Sequence, residues 1–197
     1  MEADWEIEIG GGAAAVEALW AGFVDLRAQP ARIVEIAEAA GFPPLARLLL
    51  ALNSPPSPLW TAKCDLWSPA MEDLGLPFPT VSRDGGCEAQ AAMSSSALAV
   101  YIDLLPLAES VFADWRQAES LCRSWVERLE SAFAPDAALE LVVRQAVAGL
   151  AEGFAVTAYL SARGRDRAAA AAALAVAMKA LAASIPSLPP ATAVGLR

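Results

Sequence analysis

Apolar and polar residues alternate singly over Trp5-Glu6-Ile7-Glu8-Ile9, placing Trp5, Ile7 and Ile9 on one face and both glutamates on the other. A period of two with one wet face predicts a half-exposed strand of an antiparallel sheet. Gly10, Gly11 and Gly12 then permit a tight turn, and the apolar residues of 19–26 predict a second strand that closes a hairpin. Pro30 suits a first helical turn, and Ile33, Ile36, Ala37 and Ala40 make an apolar stripe that Gly41 ends. Pro43 and Pro44 begin another short helix with Leu45, Leu48, Leu49 and Leu52 inward, so this helical segment is expected to be bent or broken.

Strand, strand and helix recur twice more. The prolines of 53–58 mark a boundary, after which Leu59–Trp67 reads as a strand. Residues 68–96 carry Pro, Gly, Ser and Asp without a period, predicting a long loop that acts as a flap, a dimer arm or a mobile insertion. Strand character returns over 98–105. A helix over 111–132 has the clearest pattern in the chain, with Trp115, Ala118, Cys122, Trp125 and Leu129 on one stripe and Glu119, Arg123 and Glu127 on another. Residues 139–147 and 154–162 predict a further hairpin, followed by an alanine-rich helix over 167–184 that Asp166 is placed to cap. The second strands of the units read Phe23-Val24-Asp25-Leu26, Tyr101-Ile102-Asp103-Leu104 and Thr157-Ala158-Tyr159-Leu160.

Single hairpin–helix units of this size cannot bury an apolar face alone. The expected fold is therefore α+β: three β-β-α units (about 5–53, 59–132 and 139–185) forming one mainly antiparallel six-stranded sheet with helices packed on one face. They make a single domain over 1–185, with an irregular proline-bearing tail at 186–197.

Alternation then sorts the strand residues. Ile7, Ile9, Cys64, Val100, Ile102, Leu141, Val143, Val156 and Leu160 are expected under the helices. Glu6, Glu8, Asp25, Lys63, Asp65, Trp67, Tyr101, Asp103, Glu140, Arg144, Thr157 and Tyr159 are expected on the opposite face. Within it Lys63, Asp65, Trp67, Tyr101, Asp103, Arg144 and Tyr159 combine acids, cations and aromatics, and form the candidate binding or interface face. Such a face is also compatible with cross-strand ion pairs in water.

Composition narrows the partners. Of the 197 residues 56% are hydrophobic and 19% charged, below the roughly one quarter usual in soluble domains. That thin polar surface suggests that apolar area meets another subunit, most simply in a homodimer. A net charge of −9 argues against nucleic acid or an anionic membrane as partner. The three cysteines lack C-x-x-C spacing, which suggests neither a disulfide framework nor a zinc knuckle and fits a reducing cytoplasm. Met1-Glu2-Ala3-Asp4 is acidic, unlike the start of a signal peptide. The apolar run over 168–178 reads as too short and too weakly hydrophobic to span a bilayer.

Candidate chemistry is sparse. With no histidine in the chain there is no Ser-His pair and no His-ligated zinc. Gly10 to Ala15 satisfies G-x-G-x-x-A, but Asp25 follows sooner than the ~20 residues that the dinucleotide fingerprint needs, and the preceding strand has an exposed face. Lys63 and Asp65 project opposite to Cys64 on a strand, so Cys64 reads as a core residue, as does Cys122; Cys87 lies in the long loop. Arg163, Arg165 and Arg167 beside a helix start could hold an anion, although Asp166 favours ordinary capping. No catalytic residue, metal site or cofactor is assigned. The expectation is a cytoplasmic, non-catalytic protein that binds itself or a partner through the open sheet face. The alternative is a small enzyme or small-molecule-binding domain with a carboxylate, Tyr and Lys pocket between that face and the 68–96 loop.

Overall fold

Six strands carry the alternating segments: β1 (Glu2–Glu8), β2 (Val16–Ala18), β3 (Leu59–Trp67), β4 (Ser96–Pro106), β5 (Ala137–Ala148) and β6 (Ala151–Gly164). Among the described residues the helices are α1 (Ala37–Gly41), α2 (Pro43–Leu52), α3 (Glu109–Phe112), α4 (Trp115–Leu129) and α5 (Arg167–Ser184), with a 3₁₀ turn at Pro30–Glu35. The computed structural model describes residues 1–9, 14–69, 96–129 and 136–185. Most of the expected 68–96 loop, all of the 186–197 tail, and Cys87 lie outside them.

The protein is α+β with one six-stranded sheet in the order β1-β5-β6-β4-β3, and β2 also pairs with β5. The sheet is mixed, not mainly antiparallel. Successive strands in the series β3, β4, β6, β5 run antiparallel, whereas β1 and β2 both lie parallel to β5. The expected first hairpin is therefore not formed: β1 and β2 make two stretches of one interrupted edge. Alternation reports which side chains are wet, and an edge strand is half wet whichever way it runs.

The segment expected to be the second strand is a wrap around the far edge of the sheet. Leu19 takes a left-handed φ of 64°, and the Trp20 carbonyl accepts from the Gly22 and Phe23 N–H groups at 2.9 and 3.0 Å. Asp25, expected on the outer sheet face, instead closes a turn by accepting from the Arg27 and Ala28 N–H groups, each at 3.0 Å. The Arg27 guanidinium then donates to the carbonyls of Ser54, Ser57 and Leu59 at 3.3, 3.3 and 3.1 Å. Asn53 donates to Thr61 Oγ1 at 2.7 Å and accepts from the Thr61 N–H at 3.2 Å. These bonds occupy polar groups that the start of an edge strand would otherwise leave without partners.

Helices α2, α4 and α5 cover one face. Leu45, Leu48, Leu49 and Leu52 of α2, and Ala118, Cys122, Trp125 and Leu129 of α4, are buried against Val100, Ile102, Leu141, Val143, Val156 and Leu160 of the sheet. Ile7 and Ile9 lie near the rim, 37% and 43% exposed. α5 is longer than the alanine run that announces it. By length and composition it could cross a membrane, yet Ala170, Leu174, Ala177, Met178 and Leu181 pack into this core. Asp166 caps it, accepting from the Ala169 N–H at 2.8 Å.

β5 and β6 meet in a two-residue turn, with Ala148 opposite Ala151 and Gly149 at φ 64°. A glycine first in a two-residue turn matches the twist of a hairpin, so both strands run longer than the apolar pattern suggests. The outer face is not wholly open. At one end Phe112 of α3 packs with Leu105, Ala146, Ala155, Val16 and Ala18 in a second, smaller cluster. Gly153 makes that possible, since a Cβ there would stand 2.3 Å from the Phe112 carbonyl oxygen.

Candidate binding face and edge cleft

Beyond Phe112 the outer face carries polar and aromatic residues in cross-strand rows. One row runs Asp65, Tyr101, Tyr159, Glu140 and Asp4 across β3, β4, β6, β5 and β1; the next runs Lys63, Asp103, Thr157, Val142 and Glu6. A bulge at Ala62 shifts the register between Thr61 and Lys63, and this sets Lys63 opposite Asp103 on the outer side. All seven candidate residues, Lys63, Asp65, Trp67, Tyr101, Asp103, Arg144 and Tyr159, belong to this face.

The aromatic members form a chain. Trp67 and Tyr101 have ring centroids 6.2 Å apart, and Tyr101 and Tyr159 6.1 Å, both tilted. Arg144 continues it, lying 5.4 Å from the Tyr159 centroid and donating to the Tyr159 hydroxyl oxygen at 2.6 Å. Its other nitrogens reach Glu8 Oε2 at 2.7 and 2.8 Å. A stripe Trp67, Tyr101, Tyr159, Arg144, Glu8 thus crosses the sheet from one edge to the other. Cross-strand aromatic pairs and a guanidinium on a ring face are mutually supporting, and they fix the Arg144 rotamer before anything binds.

Asp103, 7% exposed, is buried on this face beside Thr157. It accepts from the Thr157 hydroxyl at 2.7 Å. Burial raises its carboxyl above the usual range, against the lowering by that hydroxyl, Arg144 and Lys63. Burial likewise raises the Tyr101 phenol, helped by Asp103 and Asp65, and raises Glu140, helped by Glu6. Arg144 is held above its ordinary value: burial works against its charge, and the Tyr159 oxygen and Glu8 more than offset it.

A raised carboxyl binds its proton more tightly folded than unfolded, so ionisation costs stability. The Asp103 contribution is full below the ordinary carboxylate range and is lost as pH rises through the raised folded value. Asp103→Asn, which keeps an oxygen for Thr157, is therefore expected to raise the melting temperature at neutral pH and to lose that advantage in acid. Thermal melts of both proteins from pH 3 to 8 check this, and parallel curves would assign no such role to Asp103.

At the β3 edge the face turns into a cleft of about 480 Å³. Trp20, Ile36 and Glu38 form its far wall; Lys63, Asp65 and Tyr101 form the near one, with Cys64 between. Trp20 is fastened by its Nε1–H, which donates to the Ala62 carbonyl at 3.1 Å, and Lys63 Nζ lies 5.3 Å over its ring. Burial, with Glu38, Asp65 and Asp103 nearby, pushes the Cys64 thiol up to about 12, and burial does the same to Cys122. Neither is a thiolate at neutral pH, so neither is a ready nucleophile.

Compared with known families, curated proteins and solved structures, the chain matches none. Function must be read from geometry.

Alternation located the near wall of the cleft but not Trp20, Ile36 or Glu38, which come from the wrapped 19–41 segment. No sequence periodicity reports that segment's return to the sheet edge. Near α5, Arg163 lies 3.6 Å from Asp136 and Arg165 3.5 Å from Asp166, which caps the helix.

Proposed function

We propose that this is a non-catalytic cytoplasmic protein that associates with a second copy of itself through the outer face of its sheet. The observation that carries the reading is the stripe Trp67, Tyr101, Tyr159, Arg144. Tyr, Trp and Arg are the residues enriched in the cores and hot spots of interfaces. Arg144 is held by Tyr159 and Glu8, which lowers the ordering cost of binding. Lys63 and Asp65 share the same face as neighbouring same-side residues of one strand. In a two-fold dimer every acid and base of one copy is presented to the other, so such a mixed surface can complement itself.

Sedimentation velocity tests it. The wild type is expected to be a dimer at micromolar concentration. Tyr159→Asp, which places a carboxylate mid-stripe while leaving Arg144 a partner, should weaken association by about thirtyfold or more, the size of a hot-spot loss. A monomeric wild type, or a dimer indifferent to Tyr159→Asp in a variant that melts normally, would sink the reading.

A further inference from the structure

The edge cleft joins Lys63, Asp65 and Tyr101 of the outer face to Trp20, Ile36 and Glu38 of the wrapped segment, which the proposed self-association does not use. Its far wall is an aromatic plane set in place before any ligand arrives. Trp20 is tied to Ala62 through its indole N–H, and a Cβ at residue 22 would stand 2.4 Å from its ring, so the glycine there lets the ring fold over the chain. Phe23 braces the same turn edge-on against Trp60, with centroids 5.6 Å apart. Tyr101 supplies a second ring from the sheet.

Charge in the cleft is unbalanced. Of its carboxylates, Glu35 is spent on Arg32, which grips it at 2.7 and 2.9 Å. Glu38 and Asp65 have no ion pair among the described residues. Both line the cleft, Glu38 from the wrapped segment and Asp65 from β3. Against them stands one cation, Lys63, whose ammonium rests over the Trp20 ring. Aromatic faces combined with carboxylates in a concave, partly apolar site are what recognise organic cations. The resident lysine shows that this ring already accepts one.

We infer that the cleft binds a small alkylammonium ligand, its charge near Glu38 and Asp65 and its alkyl part on Ile36 and the Trp20 ring, with Lys63 as the built-in competitor it displaces. The assignment does not rest on the dimer: Tyr159 lies outside the cleft, so Tyr159→Asp is expected to bind the ligand as the wild type does.

Calorimetric titration with n-butylammonium, 1-butanol and butyrate tests the charge preference. The ammonium is expected to bind at least about tenfold more tightly than the alcohol, and butyrate not to bind, because only the cation gains from both carboxylates and the rings. Glu38→Gln and Asp65→Asn should each weaken the ammonium about fivefold or more. Lys63→Met should tighten it, by removing both the like charge and the occupant of the ring. This last sign is diagnostic, since a site that needed its lysine for an anion or a polar group would lose affinity. If Nα-acetyl-lysine amide binds as well as butylammonium, the site stands and its ligand headgroup is a lysine side chain. Equal binding of the alcohol, preference for butyrate, or weaker binding in a folded Lys63→Met protein would overturn the inference.

Discussion

Trp125→Ala is expected to cost about 3–5 kcal/mol of folding stability, the loss typical of deleting a large buried aromatic. Trp125 is 1% exposed and belongs to the core between α4 and the sheet. It sits on the one helix face whose spacing buries Ala118, Cys122 and Leu129 with it. A cavity of that size cannot be refilled by a close-packed interior. Since domains of this kind are held by only about 5–15 kcal/mol, the variant should be largely unfolded in moderate urea. Trp125→Phe should cost much less. Among the described residues the buried indole Nε1 has no hydrogen-bond partner, and phenylalanine removes that donor along with part of the ring. Equilibrium urea unfolding of both variants checks the order. Equal losses would mean that the ring retained by phenylalanine restores none of the lost packing.

The second large effect is expected at Gly164, where the chain leaves β6 for α5. A Cβ there would lie 2.3 Å from the Ala170 amide nitrogen and 2.6 Å from the Ala169 carbonyl carbon. Both atoms are backbone of the first turn of α5, which Asp166 clamps. Neither can swing aside as a side-chain tip could. Gly164→Ala should therefore destabilise by about 2–3 kcal/mol, the cost of overpacking, with the helix start displaced. Gly41→Ala provides the opposite sign. Among the described residues nothing stands within 4 Å of a Cβ at Gly41, which lies at the end of α1, and there alanine is expected to be neutral or to stabilise by up to about 1 kcal/mol. Thermal or urea midpoints of the two variants should move in opposite directions. A shared direction would contradict the packing described at Gly164.

Where the local pattern has one physical meaning, the chain was legible. The stripe of α4 can bury only one face, Asp166 before an alanine run can only cap, and alternation on β3, β4, β5 and β6 separates Ile102 and Val143 from Tyr101 and Arg144 whatever the strand order. Direction is a different matter. Glu6 and Glu8 alternate with Trp5 and Ile7 in the same way beside a parallel neighbour as beside an antiparallel one, so the pairing of β1 with β5 left no trace in the pattern. The apolar residues of 19–26 carry a similar ambiguity. Trp20, Phe23, Val24 and Leu26 are hydrophobic because they clasp the β3 edge and the core, and a clasp of that length is indistinguishable from a short strand. For the same reason only the near wall of the cleft could be anticipated. Lys63, Asp65 and Tyr101 are placed by the sheet, whereas Trp20 and Glu38 are placed by turns whose return to that edge depends on Arg27 and Asn53.

The parallel seating of β1 bears on how the chain is made. Glu2 lies opposite Ala138 and Glu8 opposite Arg144, so β1 leaves the ribosome 136 residues ahead of the partners it pairs with. Contacts between residues so distant in sequence slow folding, and an unpaired strand is prone to stick to its own kind while it waits. Glu2, Asp4, Glu6 and Glu8 put a carboxylate on every second residue of β1, and like charges of that density keep nascent copies apart until β5 is ready to receive one.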